Sequence, residues 1–170
     1  MKPDVKVLNK LIPKNINKII LKELSNSHWF IDSKNPVSRL ERISSKINSG
    51  FSITTVSDGN PTIDSVLNIY GNIIYESILE RLKLKATLSR FNWNMYLTNA
   101  ETSLHTDNTK EYISVLYSLH DSDGGIMVDG YFFKDKEGEA KVFNSCIEHK
   151  GFGPKKDSIR FNLNIVFKPE

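Results

Sequence analysis

The segment "SLHTDNTKEYISVLYSLHDSDGG" (103–125) sets His105 two residues before Asp107, at the head of an apolar run, in a chain with only four histidines. An imidazole nitrogen and a carboxylate oxygen are two arms of a metal site, and the rest of the chain must supply a third. His28 lies early, and His120 sits in the turn-forming "HDSDGG". His149 follows the short strand-like run in "VFNSCIEHKGFGP", 42 residues past Asp107, and Arg160 comes 11 residues later. Two imidazoles and one carboxylate on one face of a divalent metal leave three positions open, enough for a bidentate cosubstrate and dioxygen. Iron(II) suits this mixed nitrogen and oxygen set, whereas structural zinc prefers a closed tetrahedral shell. Arg160, permanently charged and fork-shaped, suits a distal carboxylate. Buried in a cavity without such a partner it would be a costly unpaired charge. Taken singly, His105 and Asp107 fit a polar turn, His149 a loop and Arg160 a surface ion pair. Their joint order and spacing favour a site.

These residues need strands to position them, and the second half of the chain reads as strands. From about Lys85 the pattern alternates through "ATLSRFNWNMYLT", "YISVLYSL", "GIMVDGYFF", "EAKVFNS" and "SIRFNLNIVF". In the last of these, Phe161, Leu163, Ile165 and Phe167 share one face, and Arg160, Asn162, Asn164 and Val166 the other. In "NWNMYLT", Trp93, Met95 and Leu97 oppose Asn92, Asn94, Tyr96 and Thr98. Solvated strand faces ordinarily carry Lys, Glu and Thr. Asparagine, tyrosine and one arginine point instead to a polar cavity between two sheets.

The first half reads as helices with short strands, "WFI" and "FSITTV", between them. "PKNINKIILKEL" places Ile16, Ile19, Ile20 and Leu24 on one face, with Pro13 at its start. "PVSRLERISSKI" repeats this with Val37, Leu40, Ile43 and Ile47. "TIDSVLNIYGNIIYESILERL" offers Val66, Ile69, Tyr70, Ile73, Ile74, Ile78 and Leu82 as its inward set. Helices followed by a block of strands predict an α+β fold with helices backing an antiparallel sheet. The expected organisation is one domain, with residues 1–84 a mainly helical support and 85–168 the β core that carries the site.

Composition narrows the class. A hydrophobic content of 39% and a charged content of 25% are those of an ordinary globular protein long enough to bury a core. A net charge of +3 is too small and scattered to argue for nucleic acid, without excluding it. The lysines at Lys150, Lys155 and Lys156 fit a solvated loop. The lone Cys146 rules out an internal disulfide framework and suggests a reducing compartment. Lys10, Pro13 and Lys14 interrupt the N-terminus before a leader core could form, and no apolar run approaches the roughly 20 residues a bilayer needs. The expected location is the cytoplasm, with no membrane partner.

The residues "HTD", Gly124–Gly125, "VFNSCIEHKG" and "SIRFNLNIVF" resemble the Fe(II)- and 2-oxoglutarate-dependent dioxygenases, in the prolyl-4-hydroxylase-like branch and its small phage-encoded members. The likeness covers roughly Lys85 to Lys168. It implies a double-stranded β-helix, or jelly roll. It implies Fe(II) on His105, Asp107 and His149, and the 5-carboxylate of 2-oxoglutarate on Arg160. Tyr96 matches a family tyrosine that reaches the cosubstrate, and Asn162 stands where a further hydrogen bond could be given. The slot of another family tyrosine is Ser118 here, with Tyr117 expected to face away. The implied reaction hydroxylates a C–H bond with O2, releasing succinate and CO2. A prolyl residue leads as the target, a peptide or protein is favoured, and a small molecule stands as an alternative. The loops Thr98 to Ser103 and Asp121 to Asp135 are expected to set selectivity. Two rivals remain: a non-catalytic jelly-roll binding module, and a metal-dependent hydrolase using the same ligands. Neither gives Arg160 a role.

Overall fold

Alternation in the second half becomes sheet, and part of the first half joins it. The computed structural model of the chain describes residues 4–31, 51–156 and 159–170. In chain order the elements are β1 (Lys6–Leu8), α1 (Lys14–Ser25), β2 (Phe30–Ile31), β3 (Phe51–Ser57), β4 (Asn60–Pro61), α2 (Val66–Leu82), β5 (Ala86–Leu97), β6 (Ile113–Ser118), β7 (Gly125–Val128), β8 (Tyr131–Lys134), β9 (Ala140–Asn144), β10 (His149–Phe152) and β11 (Ile159–Pro169). The helix expected over "PVSRLERISSKI" lies outside the described residues.

The larger sheet runs β1-β9-β6-β11-β5-β3-β2, with β4 paired to β3, and the smaller runs β10-β7-β8. All these pairings are antiparallel. Leu116 and Phe143 of the larger sheet pack with Ile126 and Val128 of the smaller, closing the two into a double-stranded β-helix. On the outer face of the larger sheet, Phe91, Trp93, Leu163, Ile165 and Phe167 are buried against α1 and α2 in the main core. No helix among the described residues is long and apolar enough to cross a membrane.

Three expectations change. "GIMVDGYFF" is a hairpin rather than one strand: Asp129 and Gly130 both take positive φ, 48° and 78°, so β7 and β8 are joined by a tight turn. In α1, Ile20 and Leu24 are buried but Ile19 is exposed, and the polar Asn17 is buried in its stead. Asn17 is drawn in because its Oδ1 accepts the Tyr117 hydroxyl at 2.8 Å, which also shows Tyr117 turned to the helix side. In α2 the buried set is Leu67, Gly71, Ile74, Tyr75, Ile78 and Leu79, while Val66, Ile69 and Ile73 are exposed. The helix is apolar nearly all round, so periodicity alone cannot choose its face. Gly71 chooses it: a Cβ there would lie 2.8 Å from Cδ2 and Cε2 of Phe91, so only glycine lets this face settle on the sheet.

Candidate metal centre

The segment before β6 crosses to the smaller sheet and pairs with the start of β10. His105 N–H donates to His149 O at 3.0 Å, and His149 N–H to His105 O at 2.8 Å. Asp107 N–H donates to Ser145 O at 3.0 Å, holding the intervening loop against the β9–β10 connection. This pairing brings the two imidazoles together with centroids 4.4 Å apart. One ligand atom each from His105, Asp107 and His149 lies within 4.8 Å of the others.

The imidazole protons are placed for metal binding. His105 Nδ1 lies 2.8 Å from Ser103 O, and His149 Nδ1 3.0 Å from Ile147 O. A backbone carbonyl only accepts, so each Nδ1 carries the proton and each Nε2 keeps its lone pair. His149 is 3% exposed, yet its buried Nε2 has no hydrogen-bond partner; Asp107 Oδ2 is 3.4 Å from it. The edge of Phe143 flanks the ring, with centroids 5.0 Å apart. An imidazole nitrogen kept dry and unpaired beside a carboxylate is costly unless something fills the gap. The donor set therefore fits a divalent metal.

Asp107 is held by its neighbours. Ser114 Oγ donates to Oδ2 at 2.7 Å and Asn164 Nδ2 at 3.1 Å, while Arg90 Nη2 donates to Oδ1. Arg90 Nη2 also reaches Asn164 Oδ1 at 3.2 Å. Burial opposes ionisation of Asp107, but its neighbouring donors, the Arg90 guanidinium and the Ser114 hydroxyl among them, outweigh it and hold the carboxyl below the usual range. His105, open on one side at the mouth, is shifted below the ordinary histidine value, chiefly by loss of solvent around the rest of the ring.

The three residues line a cavity of about 320 Å³ that also holds Arg160 and Tyr96. Its polar wall follows from register: Arg160 pairs with Tyr96, Asn162 with Asn94 and Asn164 with Asn92 across β11 and β5. Carboxamides link along it, from Thr54 Oγ1 to Asn92 Oδ1 at 2.7 Å and from Asn92 Nδ2 to Asn94 Oδ1 at 2.6 Å. The Arg160 guanidinium carbon stands 4.8 Å above the centre of the Tyr96 ring. Gly124, of the Gly124–Gly125 pair, lies under the same side chain, where a Cβ would come within 3.0 Å of Arg160 Cδ. Asn162 is fully buried beside Arg160 and is not part of the cavity lining. With its carboxamide turned over, its oxygen accepts from Nη1 and Nη2 of Arg160 at 3.3 Å each.

His120 stands apart from this cluster: its Nε2 accepts Phe161 N–H at 3.0 Å, pinning the loop to β11. Arg160 does have an acidic partner, which the sequence reading did not find. Its Nε donates to Asp135 Oδ2 at 2.6 Å and its Nη2 to Oδ1 at 3.3 Å. Asp135 lies in "KDKEGE", legible only as a turn. Arg90 was within reach of the sequence, because the polar alternation of Asn92, Asn94 and Tyr96 extends one step back to it. Ser114 gave no signal, being one serine among apolar strand residues.

No protein-family model matches the chain, and no curated protein matches it in sequence. Solved structures match it in fold. A Pseudomonas putida prolyl-4-hydroxylase superposes with a TM-score of 0.65 at 14% identity, covering 99% of this chain and 94% of its own. A viral collagen prolyl hydroxylase from Paramecium Bursaria Chlorella virus-1, in complex with 2-oxoglutarate, gives 0.61 at 13% identity over 96% of both chains. HygX from Streptomyces hygroscopicus, with nickel and 2-oxoglutarate bound, gives 0.67 at 10% identity over 98% and 83%. At such identities the likeness establishes the double-stranded β-helix.

Proposed function

We propose that this fold carries an Fe(II)- and 2-oxoglutarate-dependent dioxygenase, with iron on His105, Asp107 and His149. The observation that carries the reading is the buried, partnerless Nε2 of His149, within ligand distance of His105 and Asp107 in a cavity that also holds Arg160. Bound iron and 2-oxoglutarate would supply the oxidising chemistry, in which O2 and the cosubstrate are consumed, succinate and CO2 leave, and one oxygen atom enters a substrate C–H bond. The chain's own residues bind and orient. Ser103 and Ile147 carbonyls fix both imidazoles as Nε2 ligands. Arg90, Ser114 and Asn164 keep Asp107 ionised and aimed. Arg160, braced on Tyr96, offers its charge to the distal carboxylate, with Asn162 steadying the guanidinium.

A prolyl residue of a peptide or protein is the leading substrate; the prolyl hydroxylases among the structural neighbours support that choice. The test is anaerobic titration of Fe(II)-loaded protein with 2-oxoglutarate, followed through the weak visible charge-transfer band of bidentate chelation and by calorimetry. A saturable band that His149→Ala abolishes is expected. Wild-type protein that binds neither iron nor 2-oxoglutarate would overturn the reading.

A further inference from the structure

The carboxylate end of the cavity contains more charge than Arg160 alone can account for. Lys141, on β9, is 1% exposed and Asp135 1% exposed, beside the fully buried Arg160. Lys141 Nζ lies 3.6 Å from Asp135 Oδ1 and donates to Ser118 Oγ at 2.9 Å. Two buried cations thus share one buried anion, leaving an excess of one positive charge where no solvent screens it. Glu139, 3.6 Å from Lys141, offsets this in part, but it is 15% exposed and also faces Lys136 at 3.8 Å. Asp135 takes the Nε and Nη2 side of the guanidinium. Asn162, turned over, takes the edge between Nη1 and Nη2, so one N–H of Nη1 is left for a second carboxylate, and Arg160, not Lys141, lines the cavity.

We propose that Lys141 is a positioning residue for the cosubstrate: by sharing Asp135 it keeps the Arg160 pair from being electrically closed, so that Arg160 can accept the distal carboxylate of 2-oxoglutarate. Without Lys141, Arg160 and Asp135 form a neutral bidentate pair with little attraction for a further anion. With it, an incoming carboxylate meets the positive charge that Glu139 offsets only in part. Ser118, at the position where the resemblance expects a tyrosine, hydrogen-bonds Lys141 instead. A cation held through an acid thus takes the place of a direct phenolic contact.

This rests on the 2-oxoglutarate reading above, and the experiment separates the two. Fe(II)-loaded wild-type, Lys141→Met and Lys141→Met/Asp135→Asn proteins are titrated anaerobically by calorimetry with 2-oxoglutarate. Each is also titrated with 2-oxopentanoate, which chelates through the same 2-oxo acid but lacks the distal carboxylate. In Lys141→Met the 2-oxoglutarate affinity should fall by about tenfold or more, the size of a lost charge-assisted contact, while 2-oxopentanoate is unaffected. A general structural defect would weaken both. In the double variant, where Arg160 alone again leaves one positive charge, affinity should return to within about threefold of wild type, a non-additivity expected only of coupled charges. If Lys141→Met fails to fold, the double variant decides, and a loss of about tenfold there overturns the proposal. Equal 2-oxoglutarate affinity in wild type and Lys141→Met also overturns it, leaving the dioxygenase reading intact. Wild-type protein that binds neither 2-oxo acid overturns both.

Discussion

Replacing Arg160 by methionine should destabilise the fold in the absence of any metal or cosubstrate. The guanidinium is fully buried and makes two hydrogen bonds to an equally buried carboxylate, at 2.6 and 3.3 Å. Removing one member of a buried ion pair costs about 3–5 kcal/mol, because the other charge is left without its partner. Lys141 remains 3.6 Å from Asp135, which argues for the lower end, about 3 kcal/mol. With a urea dependence of about 2 kcal/mol/M for a chain of this size, the unfolding midpoint should drop by about 1.5 M. The assay is urea unfolding in chelator, followed by tryptophan fluorescence and far-UV circular dichroism. Methionine occupies much of the volume of the arginine stem, so the loss reports the charge rather than a cavity. Arg160→Met/Asp135→Asn should recover most of it. A single variant within about 0.5 M of wild type would refute the reasoning, since Asp135 would then not depend on Arg160.

Further expectations follow from close contacts and burial. Gly71→Ala should destabilise by about 1 kcal/mol in the same assay: the helix gains about 1 kcal/mol, but overpacking against the Phe91 ring costs about 2. Its 2-oxoglutarate affinity should match wild type. Gly151→Ala should do the reverse, because its Cβ would meet the Tyr96 hydroxyl at 2.6 Å. The tyrosine ring must then shift off Arg160, and calorimetry should show weaker cosubstrate binding. Burial, helped by Glu76 and Glu170, pushes the Tyr75 hydroxyl up to about 12, and that hydroxyl donates to Ala86 O at 2.9 Å. The folded state thus holds the proton more tightly than the unfolded chain. This contribution to stability is complete below the unfolded value of about 10 and is lost as pH rises from there to about 12. Urea midpoints across that window should fall less steeply in Tyr75→Phe.

Much of the site was legible because strand alternation is a strong local signal. Arg160, Asn162 and Asn164 could be put on one face of a strand, and the register with β5 then carries Tyr96, Asn94 and Asn92 onto the same wall. His105, Asp107 and His149 stood out by chemistry and spacing, although the bridge that joins the two histidines, His105 N–H to His149 O and back, is a loop-to-strand contact that no local pattern encodes. Strand β10 itself was not foreseen: "HKGF" has only four residues and two of them are polar or charged. The inward face of α2 was misjudged because its apolar residues nearly encircle it, and the deciding contact lies across the core at Phe91. Asp135 was hidden for a related reason. A turn aspartate is ordinary until the β7–β8 hairpin folds over and delivers it to β11.

The polar interior shows why these particular residues matter. Asp107 has three donors, Arg160 a bidentate acid and Lys141 a hydroxyl and two carboxylates. A core this polar is tolerable only when its groups are paired. Among the described residues, five buried side-chain polar atoms lack a partner, and two of them, His149 Nε2 and Arg90 Nε, belong to residues that contact Asp107. Thr55, Asn68 and Trp93 account for the others, away from the three-residue cluster. An unpaired histidine nitrogen inside a largely paired network costs stability that packing alone gives no reason to keep. A metal that takes that lone pair removes the cost, so metal binding should stabilise the fold as well as equip the site. A metal-dependent rise in melting temperature that disappears in His149→Ala, with Phe143 still packed, is the signature that separates a metal centre from a buried histidine pair. No rise with Fe(II), Mn(II) or Ni(II) would mean that the gap beside Asp107 is only a packing defect.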